Sequence, residues 1–220
     1  MSVLGYPRND ALVQKKIDLE VLFGKFRKYI VWYPTVKQFK SGQTTGSIEP
    51  IPLLNNIDNA IQLNDLLKKE EMLIIIKPHF AQITDSIKNH KLSNIVFIDD
   101  VFFRNNKIAS YEFVSSTDAL ITDYSSIYYD YILCDKPICL IWDDVDQYKI
   151  NPGLIDGYER FMIGGEKIYD LSDFLKFIKR VSDGVDLLRI ERNAVGASFN
   201  TSKNGDNTKK VTDFIISRLL

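Results

Sequence analysis

Two adjacent serine hydroxyls follow an aspartate and a tyrosine at residues 123–126, directly after the apolar run 119–122. The run is typical of a buried strand, and the residues after it predict a short helix over 125–133. Free N–H groups and the positive dipole end at such a helix start favour phosphate, which the hydroxyls of Ser125 and Ser126 would orient. Serine and aspartate also cap ordinary helices, so a plain N-cap is the alternative interpretation.

A lysine, a proline and a histidine follow a second apolar run, over residues 72–76. Because Pro78 fixes the backbone, it would aim His79 away from the strand end and into a crevice. A histidine in that place can donate to a pyrophosphate or transfer a proton, and Lys77 beside it adds positive charge. A surface histidine in a turn is the alternative for His79, whereas His90 lies in a polar stretch and is predicted to be only solvated.

Pairs of aspartates follow two further apolar runs, Asp99 with Asp100 and Asp143 with Asp144. Their carboxylates could hold a ribose or a metal ion, although aspartate is also common in ordinary loops. The sequence contains neither Gly-x-Gly-x-x-Gly nor Gly-Lys-Ser/Thr, which argues against NAD-binding and P-loop sites. No metal site is predicted.

The elements that must position these residues alternate between short β-rich runs and amphipathic stretches. The predicted strands cover residues 29–33, 72–76, 95–98, 119–122, 138–142 and 167–169. The predicted helices cover residues 10–23, 57–69, 125–133, 171–181 and 207–220. Strands separated by helices predict an α/β fold, a Rossmann-like three-layer parallel sheet, formed by a single domain over residues 1–220. In such a sheet ligands bind beyond the carboxyl ends of the strands, where the candidate residues above would meet.

The composition is that of an ordinary globular protein, with 45% hydrophobic and 26% charged residues. The 28 basic and 29 acidic residues give a net charge of −1, so no basic field would draw the chain to nucleic acid. Cys134 and Cys139 lie in or beside apolar runs and are predicted to be buried reduced thiols. The sequence has no stretch of roughly 18 apolar residues and no signal-like N-terminus. We therefore expect a cytoplasmic protein, with peripheral association at the inner face of the membrane left open.

Taken together, these segments resemble the CDP-glycerol:poly(glycerophosphate) glycerophosphotransferase family, the teichoic-acid and capsule polymerases and primases. The strongest match is the family pattern Ser/Thr-Asp-Tyr-Ser-Ser, followed by aromatic residues with Asp and then by Lys-Pro-Ile. It corresponds to residues 122–126, 128–130 and 136–138. The patterns Gly-x-Pro-Arg-Asn-Asp, Tyr-x-Pro-Thr and a strand ending in a basic residue and His correspond to residues 5–10, 33–35 and 74–79. The resemblance covers nearly the whole chain in the right order.

The resemblance implies one lobe of a GT-B enzyme, in which two Rossmann-like lobes face each other across a cleft. The chain would be the C-terminal lobe, which holds the CDP part of the donor, and the family's N-terminal acceptor lobe would be absent from residues 1–220. The implied reaction transfers glycerol phosphate or a similar polyol phosphate from a CDP-activated donor to a growing teichoic-acid-like or capsular polymer, with release of CMP. The donor would be CDP-glycerol or a related CDP-polyol, and no cofactor is implied.

The resemblance also assigns roles to individual residues. His79 matches a histidine that acts in the chemistry of the family. The residues of the donor phosphate site would be Lys77, Asp123, Tyr124, Ser125 and Ser126. Weaker donor contacts are implied for Thr35, Lys37 and Arg8. Lys37 stands near the place where the family often has Arg, which keeps the charge but loses the bidentate geometry for phosphate.

The implied partners are a polymer or lipid-linked acceptor and either a separate N-terminal-lobe protein or a second copy of the chain. Residues 3–10 resemble the middle of a protein, so the chain is expected to be a fragment or to work with a partner. One alternative function is a non-catalytic nucleotide-binding module. Another is the C-terminal lobe of a GT-B nucleotide-sugar glycosyltransferase. Such lobes carry an acidic residue at the donor ribose, and Glu159 and Glu166 are candidates in unconvincing contexts.

Overall fold

The computed structural model describes residues 2–14, 16–35, 51–78, 85–153, 157–200 and 202–219. Six strands form one sheet: β1 (Lys28–Trp32), β2 (Met72–Ile76), β3 (Ile95–Phe97), β4 (Ala119–Thr122), β5 (Ile138–Ile141) and β6 (Glu166–Ile168). All neighbouring pairs are parallel, in the order β3-β2-β1-β4-β5-β6. The predicted Rossmann-like parallel sheet is confirmed, and each predicted strand matches an observed one to within one residue at either end.

Helices cover both faces of the sheet. The α-helices are α1 (Asp10–Gln14), α2 (Leu19–Phe23), α3 (Ile57–Lys69), α4 (Asp85–Lys88), α5 (Asp100–Asn106), α6 (Ser110–Ser116), α7 (Ile127–Tyr131), α8 (Val145–Tyr148), α9 (Tyr158–Phe161), α10 (Leu171–Asp183), α11 (Arg189–Phe199) and α12 (Asn207–Leu219). Short 3-10 helices cover Pro7–Asn9 and Ile132–Cys134, and a π-helix covers Lys149–Gly153. Of the helices that the structure describes, none has the length and apolar character needed to cross a membrane.

The central strand β2 is apolar along its whole length because both faces of the sheet are covered. Ile74 and Ile76 belong to the core on the side of α3 and α10. Leu73 and Ile75 belong to the core on the opposite side, with residues of α5, α6 and α7. Because burying one side chain of this size contributes roughly 1.5–3 kcal/mol, β2 anchors the sheet from both sides.

The strand order reverses between β1 and β4. Trp32 at the end of β1 is in register with Ile76 of β2 and with Ile121 of β4, so the three strands end at the same edge. From β1 the chain continues to β2 on one side, and it returns to β4 on the other. In sheets of this kind the ligand crevice lies outside the carboxyl ends of the strands at such a reversal. The fold therefore singles out the residues directly after β1 and β4.

The single helix predicted over residues 10–23 is wrong. Two short helices, α1 and α2, occupy this stretch, and the 3-10 helix Pro7–Asn9 precedes them. The Asp18 carboxylate accepts a hydrogen bond from the Glu20 N–H and begins α2 separately from α1. A side chain that bonds the nearby backbone competes with a continuous helix, and the periodicity of the apolar residues does not reveal this competition.

The sequence predicts Asn9 or Asp10 as the N-cap of the first helix, but Asp10 binds the start of α12 instead. Its two carboxylate oxygens accept hydrogen bonds from the N–H groups of Asn207, at 2.9 Å, and Thr208, at 2.8 Å. Gly5 lies so close to Asn207 that a Cβ would overlap its side chain, and a φ of 83° also favours glycine. The N-terminal segment is thereby fastened to the last helix.

Candidate functional site

Thr35 and Asp123 meet at the reversal of strand order. Thr35 follows β1, and Asp123 follows β4 directly. The backbone N–H and the hydroxyl of Thr35 both donate to Asp123 Oδ2, each at 2.8 Å. Asp123 is only 1% exposed, so water does not compete for this contact. It holds two chain segments together at the point where the crevice opens, while a phosphate contact of Asp123 stays a prediction.

The pairing of β1 and β4 continues past the last residues of both strands. The Tyr33 N–H donates to the Ile121 carbonyl at 2.9 Å, and the Thr122 hydroxyl donates to the Tyr33 carbonyl at 3.0 Å. The Tyr33 hydroxyl lies 3.1 Å from the Ser110 hydroxyl, and burial raises the pKa of Tyr33 to about 12. The hydrogen bonding between β1 and β4 therefore continues to the base of the crevice.

Tyr124 is buried and supports the turn after β4. Its ring stacks on Tyr148 with the centroids 3.8 Å apart, and its hydroxyl donates to Asp144 Oδ1 at 2.9 Å. The Tyr158 hydroxyl donates to the Tyr124 carbonyl at 2.7 Å. Burial, and then the neighbouring Asp144 carboxylate, raise the pKa of Tyr124 well above its ordinary value. Through these contacts Tyr124 stabilises the turn after β4.

Ser125 and Ser126 are the residues of this turn that solvent reaches. The helix predicted from residue 125 begins two residues later, at Ile127. Ser126 occupies the N-cap position, yet among the described contacts its side chain makes no capping hydrogen bond. Ser125 Oγ accepts from the Ile127 N–H only at 3.5 Å, which is long for a hydrogen bond. Because α7 spans five residues, its dipole is small, and the two hydroxyls are the main donors of the turn.

Arg8 reaches α7 from the N-terminal segment. One guanidinium nitrogen lies 3.0 Å from Asp130 Oδ2, while 51% of the Arg8 side chain remains exposed. The Tyr111 hydroxyl donates to the same oxygen of Asp130 at 2.6 Å. Residues four apart share a helix face, so Asp130 lies on the same side of α7 as Ser126. The structure thus places Arg8 beside α7, while its predicted weaker contact with the donor stays a prediction.

Lys77 lies directly after β2, one strand away from Thr35. Its N–H donates to the Trp32 carbonyl at 2.9 Å, and its ammonium group lies 3.1 Å from Asp100 Oδ1. The Asp100 side chain is 74% exposed, so water screens this ion pair and weakens it. An anion with more charge than one carboxylate can therefore compete for Lys77.

Two predicted site residues, His79 and Lys37, lie outside the described residues. The catalytic role of His79 and the donor contact of Lys37 stay predictions. His90 is exposed and lies just after α4.

The family of this chain follows from its match to a family model. The model described as CDP-Glycerol:Poly(glycerophosphate) glycerophosphotransferase matches residues 1–217. The chain belongs to this glycerophosphotransferase family. The resemblance drawn from the sequence motifs is therefore confirmed over nearly the full length of the chain.

Two curated relatives and one solved structure show the same similarity. The chain is 25% identical to the teichoic acid ribitol-phosphate primase of Bacillus spizizenii, over 98% of this chain and 53% of that protein. It is 30% identical to the teichoic acid glycerol-phosphate primase of Bacillus subtilis, over 80% of this chain and 42% of that protein. The fold resembles the wall teichoic acid polymerase TagF with a TM-score of 0.73 and 22% identity, covering 99% of this chain and 52% of that one. The chain spans about half the length of the curated relatives that it matches.

In this family member, the aspartates considered for a ribose or a metal ion make other contacts. Asp99 accepts a hydrogen bond from the backbone at 2.9 Å and caps α5. Asp100 pairs with Lys77, and Asp144 accepts from the buried tyrosine of the turn. Over the ranges that the structure describes, no three His, Cys, Asp or Glu side chains form a group that could hold a metal ion.

The acidic residues that a nucleotide-sugar glycosyltransferase would need are engaged elsewhere. Glu159 pairs with Lys149 at 2.7 Å, and Glu166 pairs with Arg180. Glu166 is the first residue of β6, so it lies at the amino end of the strand, on the edge opposite to the crevice. The position of Glu166 argues against a ribose contact of this residue, while a ribose contact of Glu159 stays a prediction.

The Lys-Pro-Ile part of the family pattern has a structural role here. Lys136 Nζ donates to the carbonyls of Ser115, at 2.7 Å, and Thr117, at 2.5 Å, where α6 ends. The last carbonyls of a helix lack partners inside it, and a lysine can satisfy them. Burial lowers the pKa of Lys136. Lys136 thus joins the end of α6 to the start of β5.

Other residues around the site carry no sequence signal. Tyr111 reaches Asp130 on α7, and Tyr158 reaches the turn after β4, because α6 and α9 fold back against this part of the chain. A lone tyrosine in a short helix has no motif that would mark such a contact in advance. Cys134 and Cys139 are free thiols, as predicted, and burial raises the pKa of Cys134 to about 11.

Proposed function

We propose that the chain binds the CDP-activated donor of a polyol-phosphate transferase that extends a teichoic-acid-type or capsular polymer. The Thr35–Asp123 contact at the reversal of strand order supports this proposal, because Ser125 and Ser126 follow Asp123 closely in the chain. Family membership supplies the class of substrate. Because the relatives are a ribitol-phosphate and a glycerol-phosphate primase, the proposal covers either polyol phosphate as the transferred group.

In this proposal the donor diphosphate lies against the turn after β4. The hydroxyls of Ser125 and Ser126 donate to it, Arg8 approaches along α7, and Lys77 approaches from the end of β2. The net charge of −1 provides no general attraction for an anion, so these local donors must supply it. The exposed ion pair between Lys77 and Asp100 breaks when Lys77 binds the phosphate, which carries more charge than the carboxylate.

The proposed reaction is an attack by an acceptor hydroxyl on the phosphorus that carries the polyol. The bond from this phosphorus to the bridging oxygen breaks, and CMP leaves. Negative charge grows on the CMP phosphate, where fixed hydroxyl and guanidinium donors stabilise it. The acceptor hydroxyl gives its proton to a base that the complementary lobe is proposed to supply, and His79 is proposed to act at the diphosphate of the donor. Because protein side chains balance the charge, we expect turnover that a metal chelator does not change.

A complementary lobe that holds the polymer or lipid-linked acceptor is part of the proposal. It would belong to a longer form of the same polypeptide, to a separate protein or to a second copy of the chain. We propose that the reaction takes place in the cytoplasm, at the inner face of the membrane, where a CDP-activated donor and a lipid-linked acceptor meet.

Calorimetric titration with CDP tests the donor site. Ser126→Ala removes one exposed hydroxyl and should weaken CDP binding about tenfold, because a hydrogen bond to a charged group contributes roughly 1.5–3 kcal/mol. Ser217→Ala is the matched control, since this serine on α12 bonds only the nearby Phe214 carbonyl among the described contacts. CDP binding to Ser126→Ala as tight as to the wild type would refute the placement.

A nucleotide-binding module without catalysis is the second candidate function, since Arg8, Lys77, Ser125 and Ser126 are all proposed as donors to phosphate. Incubation of the purified chain with CDP-glycerol separates the two functions: CMP release indicates a transferase, and binding without release indicates a module. A thermal-shift comparison of CDP with UDP separates both from a nucleotide-sugar enzyme, because a ligand of the native state raises its stability.

A further inference from the structure

Arg8 is held on two sides and still faces solvent. One guanidinium nitrogen lies 3.0 Å from Asp130 Oδ2, and the guanidinium carbon lies 4.8 Å from the centre of the Tyr6 ring. A carboxylate and an aromatic face together fix the orientation of a guanidinium group. Since half of the side chain is exposed, the remaining N–H groups are fixed but accessible.

Asp130 is itself locked in place. Only 4% of its side chain is exposed, and the Tyr111 hydroxyl donates to its Oδ2 at 2.6 Å. Burial, and then the hydrogen bond to Asp130, raise the pKa of Tyr111 far above its ordinary value, so the phenol remains a donor. The Oδ2 atom of Asp130 therefore accepts from Tyr111 on α6 and also binds Arg8.

The place of Asp130 on α7 directs Arg8 toward the serines. Ser126 has helical dihedral angles, φ −64° and ψ −16°, and Asp130 lies one turn further along. Side chains spaced four residues apart lie on one helix face, with their Cβ atoms roughly 5–6 Å apart. The Asp130 side chain that binds Arg8 therefore projects from the same face of α7 as the Ser126 side chain.

We propose that Asp130 is a positioning residue that holds the Arg8 guanidinium against the donor diphosphate, with Tyr111 as its support. This role rests on the proposed function, because the diphosphate is the anion placed at this turn. A guanidinium has five N–H donors in a planar fork, so contact with Asp130 leaves others for phosphate oxygens. An arginine that is already fixed loses little rotamer freedom when the ligand binds, and this raises affinity.

The ion pair between Arg8 and Asp130 would have the same geometry if its only role were to fasten the N-terminal segment to α7. A double-mutant cycle distinguishes the two roles, because a residue that acts through Arg8 has no effect on CDP once Arg8 is gone. Asp130→Asn is the suitable variant, since it keeps the shape of the side chain and can still accept from Tyr111.

The experiment is calorimetric titration of the full chain with CDP, CMP and cytidine. Asp130→Asn and Arg8→Ala should each weaken CDP binding about tenfold, and the double variant should bind no more weakly than Arg8→Ala alone. The loss should be smaller with CMP and absent with cytidine, which has no phosphate. A purely structural role of Asp130 would instead lower the affinity for all three ligands alike.

Arg189→Ala is the control, because this exposed arginine pairs with Asp135 just before β5, at the amino-end edge of the sheet. Tyr111→Phe keeps the carboxylate and should weaken CDP binding in the same direction by about threefold, which tests the role even if Asp130→Asn folds poorly. Unchanged CDP binding by Asp130→Asn and Tyr111→Phe, or effects that add in the double variant, would overturn the positioning role alone. A wild type that does not bind CDP would overturn the proposed function and this role with it.

Discussion

Both hydrogen-bond donors of Thr35 converge on a single oxygen of Asp123. The N–H and the hydroxyl of Thr35 each lie 2.8 Å from Asp123 Oδ2. This contact joins the chain after β1 to the chain after β4 at the reversal of strand order. The carboxylate is buried, so these hydrogen bonds replace contacts with water. Asp123 therefore supports the wall against which the proposed donor lies.

Removing this carboxylate should destabilise the fold. Asp123→Ala leaves both donors of Thr35 without it, and we expect the free energy of unfolding to fall by about 2–4 kcal/mol in urea titrations. Thr35→Ser keeps both donors and should change stability by less than about 1 kcal/mol. An Asp123→Ala protein within about 0.5 kcal/mol of the wild type would show that the contact contributes little.

Tyr124 offers a test of whether a residue of the motif contacts the ligand or only supports the turn. Tyr124→Phe keeps the ring that stacks on Tyr148 but removes the hydrogen bond to Asp144. We expect a loss of about 1 kcal/mol in unfolding free energy, with the affinity for CDP unchanged within a factor of about two. A large loss of CDP affinity at unchanged stability would instead place the hydroxyl on the donor, as the family resemblance implies.

The strands could be predicted because their signal is local. The run at Met72–Ile76 is apolar at every position, and only burial on both faces of a parallel sheet explains such a run. The helices α5, α6 and α11 were not predicted. The helices α5 and α6 span seven residues each, which is too short for a clear periodicity, and Gly196 is unfavourable in the interior of α11.

The side-chain partners in the site could not be predicted, because they depend on how distant segments pack. Arg8 and Asp130 belong to distant segments of the family pattern, and nothing in either segment indicates that the two side chains are in contact. The same holds for Asp10, whose local context suggests a cap for the helix that follows it, whereas it binds the first turn of α12. The order of the motifs along the sequence predicted that they lie at the carboxyl-end edge of the sheet. Which residues of each motif are buried depends on how distant segments pack.

The contact between Asp10 and α12 should make stability depend on pH. Burial alone would raise the pKa of Asp10, but hydrogen bonds from Thr208 and Asn207 hold it below its ordinary value. A carboxyl group with a lowered pKa stabilises the folded state fully above its unfolded pKa, about 4, and this contribution is lost as the pH falls through the folded pKa. The stability of the wild type should therefore drop in acid.

Unfolding measured from about pH 6 down to pH 2 in wild type and Asp10→Asn checks this dependence. The two proteins should differ most above about pH 5 and converge below about pH 3. Asp65→Asn is the control, because Asp65 is exposed and lies 3.8 Å from Lys68 in a pair that water screens. A wild-type advantage over Asp10→Asn that stays constant across this range would contradict the titration of Asp10.

A substitution of Lys136 tests whether the Lys-Pro-Ile part of the family pattern has a structural role or binds the donor. Lys136→Met keeps the aliphatic stem but removes the ammonium donor from the carbonyls of Ser115 and Thr117 at the end of α6. We expect a loss of about 2 kcal/mol in unfolding free energy, because buried carbonyls that lose a charged donor are costly. CDP affinity measured below the unfolding transition should stay within about twofold of the wild type, since Lys136 precedes β5 at the amino-end edge of the sheet. A Lys136→Met protein of normal stability that binds CDP weakly would place this lysine in the donor site and contradict its role as a helix cap.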